Sequence, residues 1–215
     1  MRINGAEFHK ELMAGNIPFT DERVAEVFKK WKYLIENDFF VENAAAYSWQ
    51  EGLRFLSNGD AAMYLMGQFI LDATSEEVAQ DLNFFRFPII DEDVPVAEDL
   101  PTDGFMIPAK APNPELAKDF IAFLGSVDGQ HLFAEDLGRL VTNKDMDAEV
   151  YDEVTNKGRK MIDETDELAQ FYDRDMDPEL ADKTMDSLME FWYSPSEYRK
   201  IMEQMEAHRQ NFIND

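Results

Sequence analysis

Ala61-Ala62-Met63-Tyr64-Leu65-Met66 is a continuous apolar run bounded by Asn58-Gly59-Asp60 on one side and Gly67 on the other. It is too short for an ordinary helix and shows no polar alternation, so it reads as a strand buried on both faces, a type that needs helices packed over its sheet. A helix precedes it. In Ser48-Trp49-Gln50-Glu51 the Ser48 hydroxyl can accept from the Glu51 amide while the Glu51 carboxylate reaches back to Ser48, and this helix should end near Asn58-Gly59. Helix, tight turn and buried strand in succession predict an α/β fold.

The remaining punctuation is consistent with that class. Val24, Val27, Phe28, Trp31, Leu34 and Ile35 recur at helical spacing behind Thr20 as N-cap, which predicts a helix over 20–36. Residues 83–87 and 105–107 read as further strands, and the proline- and acid-rich stretch 89–103 as a surface connection. Asn113-Pro114-Glu115 starts a helix whose apolar face is Leu116, Ala117, Phe120, Ile121 and Leu124. Another runs from Val127 to Asp136 and stops at Gly138 in the left-handed conformation. The last third reads as wholly helical, with one start at Asp177-Pro178 and a second capping box at Ser194-Pro195-Ser196-Glu197. Ala181, Met185, Leu188, Met189 and Trp192 form one stripe there, and Tyr198, Ile201, Met202, Met205 and Phe212 the other. Trp31 and Trp192 read as core, as do the methionines.

Composition narrows the partners. With 45 acidic against 20 basic residues the net charge is -25, which repels nucleic-acid phosphates and anionic lipid head groups. No cysteine is present, so disulfides and thiolate chemistry are excluded. His9, His131 and His208 stand far apart without metal-ligand spacing, and no P-loop, dinucleotide fingerprint or G-x-S-x-G motif occurs, so neither a metal nor another cofactor is expected. Residues 1–15 lack a basic region followed by an apolar run, and no stretch approaches the length of a membrane span, so the expectation is a soluble chain that carries no signal peptide.

Four segments in order resemble the family of extracellular solute-binding proteins that includes the maltose-binding protein. They are Phe55–Phe69; Thr102-Asp103-Gly104-Phe105-Met106-Ile107-Pro108 with the helix from Asn113; Gly138-Arg139-Leu140 with Thr142-Asn143-Lys144; and Phe171–Glu179. The chain departs from the family at Val141, where a proline is common, and in length, since members run to about twice this size. The resemblance implies a helix-rich α/β fold of the type II periplasmic-binding-protein class, incomplete. It assigns residues 1–103 to the second lobe, 104–141 to an inter-lobe strand and helices belonging to the first, and 142–215 to second-lobe helices. It also implies a periplasmic or cell-surface receptor that hands a neutral oligosaccharide or glycoside to the permease subunits of an ABC importer, with no catalysis.

Sugars present hydroxyls at the ring edge and apolar faces above and below, so their sites combine aromatic platforms with carboxylate, amide and guanidinium groups. By resemblance Gly67, Gln68 and Phe69 supply close backbone approach, a hydrogen-bonding amide and a stacking ring. Asp103 beside Gly104 supplies an acceptor or, on its own spacing, an ordinary turn. Tyr172, Asp173 and Arg174 supply ring, acceptor and fork, or the polar start of a helix. Trp49 faces either the cleft or the core. Two other classes stay open from the residues alone: a glycosidase, which needs only two suitably spaced acids among many, and a helical interaction module without a cleft.

Overall fold

The computed structural model describes residues 1–214, the side chain of Asp72 excepted. The chain forms two compact units. Unit 1 comprises Met1–Ala61, Pro88–Pro101 and Thr165–Asp215, and unit 2 comprises Ala62–Phe87 and Thr102–Glu164.

Unit 1 is built on long amphipathic helices: α1 (Gly5–Met13), α2 (Glu22–Glu36), α3 (Trp49–Ser57), the short α8 (Tyr172–Asp175), α9 (Pro178–Tyr193) and α10 (Tyr198–Asn214). The α2 helix begins one position later than the sequence predicts. Asp21 and not Thr20 is its cap, because the Asp21 carboxylate accepts from the Arg23 amide at 2.8 Å and also binds the Arg23 guanidinium. The Ser48–Glu51 capping box forms as expected at the start of α3. In contrast, Ser194 makes no cap: Pro195–Glu197 instead form a turn of 3-10 helix that leads into α10.

The core of unit 1 lies where α2, α9 and α10 meet. Phe19, Phe28, Phe191, Ile201, Met202 and Met205 are buried there, with Phe191 fully enclosed, and burial contributes about 1.5–3 kcal/mol for each large side chain. Phe28 and Phe191 pack edge to face at 4.7 Å. Trp31 and Trp192 are half-buried and meet at 5.7 Å at the margin of this cluster. The buried stripe of α9 is Leu180, Ala181, Thr184, Ser187 and Phe191, so Met185 and Met189 face solvent, contrary to the expected core stripe. The reason is packing: Phe191 fixes which side of α9 turns toward Phe28, and both methionines then lie off that line.

Two strands, β1 (Ala97–Asp99) and β2 (Glu167–Ala169), pair in parallel in unit 1, with Ala97 opposite Glu167 and Asp99 opposite Ala169. Both fall where the sequence predicts connection or helix. The Arg2 guanidinium covers the β1 edge by bonding the Ala97 carbonyl and the Glu98 carboxylate.

Unit 2 contains α4 (Glu76–Asp81), α5 (Pro114–Gly125), α6 (Val127–Leu137) and α7 (Glu153–Asp163). Ser126 ends α5 and caps α6, accepting from the Gly129 amide at 3.1 Å. Gly138 closes α6 at φ 63°, the left-handed end the sequence predicts. Ala134, Met146 and Tyr151 form a small core, against which Leu140 and Val141 pack. Segments 61–66, 83–87 and 105–107 are not strands: among the described residues only β1 and β2 pair, so these runs have no ladder partner. Several of their apolar side chains stay outside, with Leu65 76% and Met106 91% exposed, while Tyr64, Met66, Phe84 and Ile107 are half-buried.

Candidate functional site

The residues singled out from sequence divide between the units. Trp49, Tyr172, Asp173 and Arg174 lie in unit 1; Gly67, Gln68, Phe69, Asp103 and Gly104 lie in unit 2.

In unit 1, β2 leads directly into α8, so the strand end sets the position of Tyr172-Asp173-Arg174. Asp173 and Arg174 are exposed, and the Arg174 guanidinium lies 5.8 Å from the Phe171 ring centre. Tyr172 differs from its neighbours. Its ring packs against the unit 1 core, and burial pushes its phenol up to about 12, with the Thr184 hydroxyl pulling the other way. That hydroxyl also lies within donating distance of the carbonyls of Leu180 and Ala181, at 2.9 and 3.1 Å. The phenolic oxygen itself forms no regular hydrogen bond. Trp49 is half-buried at the first turn of α3. On the same helix, Arg54 lies over the rings of Tyr47 and Phe55 at 4.8 and 4.9 Å, an aromatic and guanidinium cluster that sequence spacing did not single out. An i, i+1 pair and a residue seven positions upstream carry no periodic signal.

In unit 2, Gly67 is extended and precedes a 3-10 turn over Gln68–Ala73. The Phe69 ring folds back over Gly67, and a β-carbon there would lie 2.4 Å from it, so the glycine permits this ring position. Gln68 turns its amide nitrogen inward, donating to the Thr155 hydroxyl at 2.5 Å and the Gly138 carbonyl at 3.2 Å. Its amide oxygen accepts no bond from these two groups. Asp103 and Gly104 are exposed in an irregular segment, and Gly104 has a negative φ, so no left-handed Asp-Gly turn forms.

A strand that runs directly into a helix start, as β2 runs into the Tyr172-Asp173-Arg174 turn of α8, is where α/β receptors present groups to small molecules. Comparison with known proteins agrees: residues 2–131 match the profile of the bacterial extracellular solute-binding proteins, and the chain belongs to that family. It is 27% identical over 154 residues to an uncharacterized ABC transporter extracellular-binding protein of Pyrococcus horikoshii, an alignment covering 71% of this chain and 33% of that protein. It is also similar to the bacterial solute receptor AcbH, whose crystal structures are described as revealing an exclusive preference for β-D-galactopyranose. That match has a TM-score of 0.89 and 27% identity, and covers 98% of this chain and 55% of AcbH. The chain thus has the periplasmic receptor fold and spans about a third and about half of the two relatives. Among the described residues no helix is long and apolar enough to cross a membrane.

Proposed function

We propose that this chain is a sugar-binding receptor of an ABC importer, or the part of one that carries the second lobe, and that it binds without catalysis. The observation that supports this most is the match along nearly the whole chain to a galactopyranose receptor at a TM-score of 0.89. The ligand is a neutral oligosaccharide or glycoside, held between the lobes of the complete receptor and passed to the membrane permease. Lobe closure is then a hinge motion, with residues 104–141 moving with the first lobe. Its place of work is the periplasm or the cell surface.

Phe69, Asp103, Asp173, Arg174 and Trp49 supply stacking and hydroxyl contacts in this reading. Gly67 and Gly104 let the backbone come close, Gln68 offers its amide oxygen, and Tyr172 sets the α8 turn from beneath. Incubation with a panel of mono- and oligosaccharides tests it: a rise in melting temperature without release of reducing ends is expected. Release of reducing ends would establish a glycosidase instead. Neither response would remove both sugar readings. Phe69→Ala and Asp103→Ala should weaken binding and leave far-ultraviolet circular dichroism unchanged.

A further inference from the structure

Two Asn-Gly steps occur in the chain, Asn4-Gly5 and Asn58-Gly59. An asparagine before glycine is prone to cyclise, because its carboxamide carbon can close a five-membered ring with the next backbone nitrogen and glycine has no side chain to screen that nitrogen. By sequence the two steps are equal. Their surroundings make them different.

Asn4 is half-buried at the start of α1. Its side-chain nitrogen donates to the Arg23 carbonyl of α2 at 3.0 Å, and the Gly5 amide donates to the Met1 carbonyl at 2.8 Å. The leaving group and the attacking nitrogen are both held. Asn58, in contrast, is exposed at the end of α3 together with Ser57, Gly59 and Asp60. Among the described residues no hydrogen bond ties its side chain. The Gly59 amide donates to the Leu56 carbonyl at 3.1 Å, and, its chain neighbours apart, no heavy atom lies within 4 Å of where a Gly59 β-carbon would stand. One hydrogen bond at a helix end is what must open before the nitrogen can reach the carboxamide.

We infer that Asn58 is a site of self-modification, at which the asparagine is converted to aspartate and isoaspartate in water, whereas the fold protects Asn4. The Gly59 nitrogen bonds to the Asn58 side-chain carbonyl carbon, the C–N bond of the carboxamide breaks, and ammonia leaves with the proton of the Gly59 amide. Water then opens the resulting succinimide on either side of the ring nitrogen, and nothing is oxidised or reduced. Opening at the side-chain carbon gives aspartate. Opening at the backbone carbonyl gives isoaspartate, with Gly59 joined through the former side-chain carbon and one more methylene in the main chain. Either product sets a carboxylate at the carboxyl end of α3, the negative end of the helix dipole, just ahead of the apolar run 61–66.

Peptide mapping of the intact chain, aged for weeks at mildly alkaline pH, provides the test, with electron-transfer fragmentation to tell isoaspartate from aspartate. The peptide that holds Asn58 should gain one dalton and show both products, at least roughly tenfold faster than the peptide that holds Asn4, which reacts only from openings that break both of its bonds. In concentrated urea the two peptides should react within about twofold of each other, since the protecting contacts are gone. Asn58→Gln, whose longer side chain cyclises far more slowly, should remove the gain from its own peptide and leave the Asn4 peptide unchanged. Equal rates in the folded chain, or faster conversion at Asn4, would overturn the assignment. So would an Asn58 that stays intact in the folded chain while both steps convert in urea.

Discussion

In unit 1, α9 and α10 bury Phe191, Ile201, Met202 and Met205 beside Phe28 of α2, whereas in unit 2 α5 buries no residue and turns Leu116, Phe120 and Phe123 outward. Both sets of helices carry apolar stripes at helical spacing. The difference is whether a second stripe arrives to meet the first. Where it does, side chains leave water and find dispersion partners; where it does not, the stripe is only an amphipathic helix surface. Unit 2 also carries specific polar ties, such as Gln68 to Thr155 and Asn156 to the carbonyls of Ala148 and Tyr151.

The same truncation in both units tests this contrast most strongly. Phe191→Ala should cost about 3–5 kcal/mol in urea unfolding, because a fully enclosed ring leaves a cavity, while Phe120→Ala should stay within about 0.5 kcal/mol. Equal losses would break the comparison. Next in size is Gly129→Ala. A β-carbon there would sit 2.1 Å from the Phe123 carbonyl oxygen, so the α5–α6 corner must open, at a cost of roughly 1–3 kcal/mol seen by far-ultraviolet circular dichroism.

Thr155→Val sharpens the claim that polar ties hold unit 2. Thr155 is fully buried, accepts from Gln68 and donates to the Gly138 carbonyl at 3.1 Å, so its loss should cost about 1–2 kcal/mol in thermal melts. An unchanged melting temperature would show that Gln68 and Gly138 find other partners.

The smallest effect expected is an acid slope that belongs to unit 1. Burial pushes the Glu206 carboxyl up, but hydrogen bonds from Arg209, Gln210 and the Phe19 amide outweigh it and hold it below the usual range. Its contribution is present above the unfolded value and lost as pH falls through the folded one. Burial lowers His9 below its ordinary 6.5, the Met1 amine adds to this, and Asp175, Asp99 and the Gln170 backbone oppose it. The folded state thus favours neutral imidazole, so this contribution is present above the unfolded value and declines as pH falls from it toward the folded one. Melting temperature should therefore drop from pH 7 to pH 5, and His9→Gln should flatten that part of the curve. A steeper curve in the variant would reverse the assignment.

Local chemistry was legible beforehand. The Ser48–Glu51 box, the Pro114 and Pro178 starts and the Gly138 stop each depend on groups within four residues, and each sits where the spacing placed it. The apolar faces of α2 and α10 were legible in part: Val24, Phe28, Ile201, Met202 and Met205 are buried, whereas Val27 and Phe212 are exposed. The family was legible as well, from motifs that keep their order along the chain. Strands were not. Met63 and Leu65 have the composition of a buried strand and pair with nothing described, whereas Ala97–Asp99 and Glu167–Ala169 look like connection and pair with each other.

The candidate site divides along the same line. Sequence could nominate Asp173 and Arg174 as exposed polar groups at a helix start, but it could not show that Tyr172 turns into the core or that Gln68 is tied to Thr155. Nor could it bring the Phe19 amide to the Glu206 carboxylate or the Arg209 guanidinium to the Gly15 carbonyl, since 187 and 194 positions separate the partners. The amino-acid order by itself determined helix ends, glycine turns, charge and family, because these follow from steric and hydrogen-bonding preferences among near neighbours. Tertiary structure alone decided which runs pair as strands, which stripes are buried and which distant groups meet, because each depends on a partner that local sequence does not contain.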